Sequence, residues 1–205
     1  MGHTVTSGTF SLDGQTFDVD NNVWVLGDDS ECVIFDAPHD VEAIIDLAAG
    51  RDVLAFLATH AHDDHIRHAQ ELAERTGAPV LLHPADLPLW RLTHPDREPD
   101  GMLAADQIVK VAGTSLQVLH TPGHTPGACS FYAPDLGAVF TGDTLFQGGP
   151  GATGRSFSDF DLIIDSVRHR LLTLPPETTV HTGHGTDTTI GAETPHLEEW
   201  IRRGH

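Results

Sequence analysis

Thr59-His60-Ala61-His62-Asp63-Asp64-His65 decides how this chain is read. It follows Val53 to Ala58, a continuous apolar run that reads as a strand buried on both faces. Beyond the strand end, alternate residues of an extended loop, His60 and His62, can converge on one cation. Asp64 and His65 come where the chain turns into a helix, so they can serve a second position close by. A His-x-His pair alone carries little information; the added Asp-His at this spacing makes a metal-ligand motif. Asp63 lies between ligands and reads as a solvated or supporting carboxylate.

Three further stretches supply matching side chains. His124 sits between Pro122-Gly123 and Pro126-Gly127, a rigid bend that aims its ring, with His120 as the competitor inside a strand. Asp143 ends the run that begins at Ala138; an aspartate there could be a plain helix cap, or its two oxygens could bridge two cations. His184 lies between Gly183 and Gly185 past another strand, with His181 as the alternative. The glycines of Gly148 to Gly154 are expected to border the set. Two neighbouring divalent ions need about seven to nine nitrogen and oxygen donors between them. Five imidazoles and two carboxylates, with no thiolate, suit two divalent metal ions: zinc first, iron or manganese as alternatives.

Composition sets the surroundings. The 205 residues fit one domain, 1–205, with enough apolar content for a substantial core. Thirty acidic against eleven basic residues give a formal charge of -19, which argues against nucleic acid and anionic membrane surfaces as partners. Cys32 and Cys129 sit in apolar runs and read as small buried hydrophobes. No secretory signal and no apolar run of about 20 residues is present, so the expected setting is cytoplasmic, with a homo-oligomer left open.

Strand patterns at Thr4 to Phe10, Thr16 to Val19, Val23 to Leu26 and Cys32 to Phe35 precede a helix at Val41 to Ala49. After Val53 to Ala58 the pattern predicts a helix over His62 to Thr76, a strand at Pro79 to Leu82 and a helix at Pro84 to Leu92. Strands at Gln107 to Val111, Ser115 to His120, Ala128 to Tyr132 and Ala138 to Thr141 follow. A helix over Asp159 to Leu172, a strand at Thr178 to His181 and a helix at Glu193 to Arg202 close the chain. Runs of strands with helices after each run predict an α/β (α+β) fold, two sheets face to face with helices outside. The ligand motifs fall at strand ends, where loops can share one groove.

Thr59 to His65, Thr121-Pro122-Gly123-His124, Gly142-Asp143 and Gly183-His184-Gly185 together resemble the ordered motifs of the metallo-β-lactamase superfamily. The resemblance runs from Asp36 to about Glu193 and is nearest to the glyoxalase II-like branch, on Gly142-Asp143-Thr144-Leu145-Phe146 and Thr188-Thr189-Ile190-Gly191. It implies a four-layer αββα sandwich with a dinuclear site. It assigns His60, His62 and His124 to one metal, Asp64, His65 and His184 to the other, and Asp143 to both. It also implies hydrolysis by a metal-bridging hydroxide that Asp64 helps to orient, with Asp64 and Asp143 as the catalytic carboxylates.

Two departures narrow the substrate. Glyoxalase II itself carries an appended basic domain that grips glutathione, whereas this chain ends some twenty residues past His184. The loop Gly148 to Arg155 looks like that of a small bacterial subgroup acting on thioesters of other low-molecular-weight thiols. The expected partner is therefore a small-molecule thioester, with Arg155, Phe146, Phe157, Trp90 and Tyr132 as candidate contacts. The rivals are a mononuclear iron persulfide dioxygenase of the same superfamily and a non-enzymatic metal-binding protein. A β-lactamase is disfavoured by the bridging position of Asp143.

Overall fold

A computed structural model describes residues 1–204, folded as two six-stranded sheets packed face to face. The first sheet has the order β1 (Gly2–Leu12), β2 (Gln15–Gly27), β3 (Glu31–Phe35), β4 (Asp52–Leu57), β5 (Val80–Leu82), β6 (Gly101–Met102). β1 and β2 form an antiparallel hairpin about the Asp13-Gly14 turn, and β3, β4 and β5 run parallel. Helices α1 (Val41–Ala48), α2 (Asp63–Ile66), α3 (Ala69–Thr76) and α4 (Leu87–Thr93) connect or follow these strands. The second sheet takes β7 (Ile108–Val111), β8 (Thr114–His120), β9 (Cys129–Ala133) and β10 (Ala138–Gly142), then β13 (Thr179–Thr182) and β14 (Thr188–Thr189). A two-stranded ribbon, β11 (Leu145–Phe146) with β12 (Gly149–Pro150), leads to α5 (Phe160–Ser166). The short α6 (Ile190–Glu193) and α7 (Leu197–Arg203) end the described chain.

Three apolar clusters separate four layers. Phe35, Leu57, Leu116, Phe131 and Phe140 fill the space between the sheets, where the rings of Phe35 and Phe140 stack 4.0 Å apart. Ile44, Ile66, Leu72 and Trp90 seal α1, α3 and α4 to the outer face of the first sheet. Ile163, Val167, Leu171 and Trp200 do the same for α5 and α7 on the second. Phe56, Phe131 and Phe140 are at most 1% exposed; burying a side chain of this size is worth about 1.5–3 kcal/mol. The predicted αββα sandwich is the observed fold. Both cysteines are buried and unpaired, and burial pushes the Cys129 thiol far up, so it is no nucleophile.

Three of the differences from the predicted elements have a local reason. Thr16 to Val19 and Val23 to Leu26 are one strand, β2: the polar run Asp20-Asn21-Asn22 that interrupts the pattern stays extended because it serves the site. The helix over His62 to Thr76 is two, α2 and α3. Ala37 inserts its backbone at the break, donating N–H to the His65 carbonyl and accepting from His68 N–H. The last helix also breaks, at Thr194-Pro195, where proline has no N–H to continue it. Among the described residues, no helix is long and apolar enough to cross a membrane.

Candidate metal centre

The ends of β4, β8, β10 and β13 point to one edge of the sandwich, and their loops carry the histidines there. His60, His62, Asp64 and His65 are all at most 5% exposed. His60 Nε2 and His124 Nε2 stand 3.1 and 3.0 Å from His62 Nδ1. His65 Nε2 and His184 Nε2 are 3.2 Å apart, and Asp64 Oδ2 lies 3.6 and 3.4 Å from them. Asp143 joins the two groups: its Oδ2 is 3.5 Å from His124 Nε2 and 3.3 Å from His184 Nε2, and its Oδ1 is 3.4 Å from His65 Nε2. The alternatives stay outside. His120 stacks on His83 and meets the Pro126 carbonyl, and His181 packs on Trp24 and pairs with Asp187.

Oxygen atoms at the far side of four rings aim their Nε2 inward. His65 Nδ1 donates to Asp36 Oδ2 at 2.8 Å, His60 Nδ1 to Thr59 Oγ1 at 3.0 Å, His124 Nδ1 to the Ala152 carbonyl at 2.8 Å, and His184 Nδ1 to the Asp20 carbonyl at 2.7 Å. His62 is the exception and turns its Nδ1 inward. Two glycines are required by closeness: a Cβ on Gly183 would fall 2.2 Å from Asp143 Oδ1, and one on Gly151 would fall 1.8 Å from the Asp143 carbonyl. The loop from Gly148 therefore does border the donors.

The donor set fits divalent cations. Four ligands about 2.0–2.2 Å from a tetrahedral ion stand roughly 3.3–3.6 Å from one another; the separations here run from 3.0 to 3.6 Å. Asp143 Oδ1 is buried and has no hydrogen-bond partner, which calls for a cation beside it. Burial and neighbouring imidazoles push His60 well down and His62 down to about 3, so both present neutral lone pairs. In the other half the carboxylates win. Burial opposes charge on His65 and His184, yet Asp143 and Asp64 lift His65 well up and His184 to about 10. Asp64 is drawn down to about 2 against its burial, by His65, His184 and Asn21. The set offers two neutral imidazoles, His60 and His62, on one side and a cation-attracting trio on the other, with Asp143 between.

A cavity of ≈ 230 Å³ opens over these donors. Its walls are Phe10, Phe17 and Val19 of the β1–β2 hairpin on one side and Ala152, Arg155, Ser156 and Ser158 on the other. Arg155 lies over the Phe17 ring at 4.6 Å and the Phe10 ring at 5.6 Å, and donates to Gln15 Oε1 at 3.0 Å. Of the candidate contacts, Arg155 lines this cavity. Phe146 instead borders a shallow depression beside His184, its ring 6.3 Å away. Phe157 is 44% exposed, with φ +72°, and lies outside the cavity lining. Two expectations are corrected. Trp90 is wholly buried in the outer core with its indole N–H on the Arg97 carbonyl, and Tyr132 packs against the α5 cluster.

Sequence reasoning missed several residues here. Phe10 and Phe17 face each other across the hairpin register, a pairing visible only once the Asp13-Gly14 turn is placed. Asp36 has no distinguishing context beyond ending a strand. Asp86, 0% exposed, accepts from Ala61 N–H, Thr125 Oγ1 and Gly127 N–H, tying the His60–His62 loop to the His124 bend. Burial raises its carboxyl pKa in part, with those three donors opposing the rise. Asp63 is not simply solvated: it accepts from Ser11 N–H and pairs with Arg67, which in turn holds the Thr9 carbonyl of β1.

The comparisons agree with this geometry. The profile of the metallo-beta-lactamase superfamily matches residues 16–184. Hydroxyacylglutathione hydrolase GloC of Haemophilus influenzae is 32% identical over 184 residues, 82% of this chain and 87% of that protein. Among solved structures, BLEG-1 B3 metallo-beta-lactamase superposes with a TM-score of 0.77 at 32% identity, covering 94% of this chain and 98% of its own. TTHA1623 in a di-iron-bound form superposes with a TM-score of 0.76 at 36% identity, covering 86% of this chain and 93% of its own. The chain belongs to the metallo-β-lactamase superfamily.

Proposed function

We propose that this chain hydrolyses thioesters of a low-molecular-weight thiol at a two-metal centre. His60, His62 and His124 would hold one ion, Asp64, His65 and His184 the other, and Asp143 would contact both. Bound divalent cations supply Lewis acidity and a water that ionises near neutrality. Asp64, held at about 2, stays ionised and can accept a hydrogen bond from that water and orient it. Phe10, Phe17 and Val19 exclude bulk solvent from the acyl group, and Arg155 offers a cation for an anionic end of the substrate.

The observation that carries the reading is what the cavity lacks. Apart from the ligand set, its lining offers two serine hydroxyls and a guanidinium, none of which protonates a leaving group near neutrality. An amine needs such an acid; a thiolate, whose conjugate acid has a pKa of about 8.5, does not. The name of GloC supports an acyl-thiol substrate, and that of BLEG-1 makes a β-lactam the necessary control. The rival reading is a mononuclear iron dioxygenase of the same superfamily, and metal content with oxygen uptake separates the two.

The test offers the metal-loaded protein an acyl thioester, the matching amide and a β-lactam. The proposal expects thiol release from the thioester at least about a hundredfold faster than amide cleavage, a difference of about 2.7 kcal/mol in barrier. A β-lactam cleaved as fast as the thioester would overturn it.

A further inference from the structure

Asn21 and His39 ligate nothing, yet they hold a ligand. Asn21, 0% exposed in the middle of β2, donates through Nδ2 to Asp64 Oδ2 at 3.1 Å and to the Asp64 carbonyl at 3.0 Å. The same nitrogen is 3.3 Å from His65 Nε2. On its other side, Asn21 Oδ1 lies 3.1 Å from His39 Nε2. An amide oxygen only accepts, so His39 Nε2 carries the proton; turning the amide over would set its oxygen against the Asp64 carboxylate. His39 is itself 4% exposed, and β1 packs so closely on it that a Cβ on Gly8 would fall 2.3 Å from its Nδ1. Burial and the nearby Arg67 push its pKa down, leaving a neutral ring as the donor.

The contacts of Asn21 all fall on one half of the centre. Asp64 Oδ2, the oxygen it grips, is also the one facing His65 and His184. The loops carrying His60, His62 and His124 are anchored separately, by Asp86. We propose that His39 and Asn21 form a positioning pair dedicated to the Asp64–His65–His184 metal, so that breaking it strips that ion and spares the one held by three histidines. The inference rests on the two-metal reading above. It assigns a use to the polar interruption of β2 and to a buried histidine outside the ligand motifs. Residues that orient metal ligands typically change affinity by about 10–100-fold when lost.

The experiment titrates metal-free protein with zinc against a chromophoric chelator, reading stoichiometry and both affinities, with the thermal midpoint of the metal-free form as a folding control. Wild type taking up only one ion would defeat the two-metal reading itself, and this inference with it. With two sites in wild type, Asn21→Ala is expected to bind the first zinc normally and the second about 10–100-fold more weakly. His39→Leu should do the same, and His39→Gln, which keeps an N–H donor, should restore the second site. If Asn21→Ala does not fold, the His39→Leu and His39→Gln pair decides. Unchanged second-site affinity, an equal loss at both sites, or no rescue by glutamine would overturn the proposal.

Discussion

His65 Nδ1 donates to Asp36 Oδ2 across 2.8 Å, and that contact ties the end of β3 to the start of α2. Asp36 also accepts Thr59 N–H and Thr59 Oγ1–H, so one buried carboxylate orients the strand end, the first histidine of the motif through Thr59, and the third, His65, directly. Its backbone is left-handed at φ +65°, a conformation that costs energy outside glycine and is held by these bonds.

Asp36→Asn is the discriminating variant here. It keeps the shape but sets an NH2 group against one of three donors. The folded protein should bind zinc about 10–100-fold more weakly, as chelator competition would measure. Wild-type affinity would mean that Thr59 and the loop orient His65 without it.

Asp143 and Asp63 separate a ligand from a brace. Asp143→Ala should lower zinc content at both positions and remove most turnover, because its two oxygens face His124 on one side and His65 and His184 on the other. Asp63→Ala should leave metal content unchanged and kcat within a few-fold, while KM rises as the β1 edge beside Phe10 loosens. Equal losses of metal from both variants would contradict this division.

The pKa shifts give opposite signs with and without metal. In metal-free protein, His184 is raised from 6.5 to about 10, so its charged contacts stabilise fully below about pH 6.5 and are lost as pH rises toward 10. Asp64 is depressed to about 2, so its contribution is present above about pH 4 and lost as pH falls through 2. Chelated protein should therefore melt progressively lower between pH 7 and 10. Zinc must displace protons from His65 and His184, so zinc affinity should rise over the same range. Parallel trends in melting scans with and without zinc would refute the assignment.

Much of this was legible in the chain itself because it is local. The buried β4 run and the glycine-flanked histidines each state their structure within a few residues. The supports were not legible, because Asn21, Asp36, His39 and Asp86 are single ordinary polar residues made important by elements far along the chain. Asn21 reaches Asp64 across 43 positions of sequence and Asp86 reaches Gly127 across 41. Trp90 misled for the opposite reason: an aromatic after a short helix start looks the same in a groove as in a core, and only packing decides.

Substrate choice turns on charge. The chain carries -19 overall, and Arg155 is the single arginine or lysine lining the cavity among the described residues. One acyl group presented on a neutral thiol should show higher kcat/KM than on glutathione, with the gap narrowing at high salt. Arg155→Ala should raise KM for acyl groups bearing a carboxylate and leave neutral ones nearly unchanged. A salt-independent preference for the glutathione ester would reverse the charge argument and favour the GloC-like substrate.

The central claim is metal-dependent thioester hydrolysis at two metal ions, and one measurement reaches it most directly. Protein purified without added metal is analysed for metal content, then assayed without oxygen for thiol released from a small acyl-thioester panel and, separately in air, for oxygen uptake with a persulfide. The account predicts close to two divalent ions per chain and one thiol per acid formed, lost with a chelator and regained with zinc. A single iron per chain, no thioester turnover, and oxygen uptake with a persulfide would contradict it.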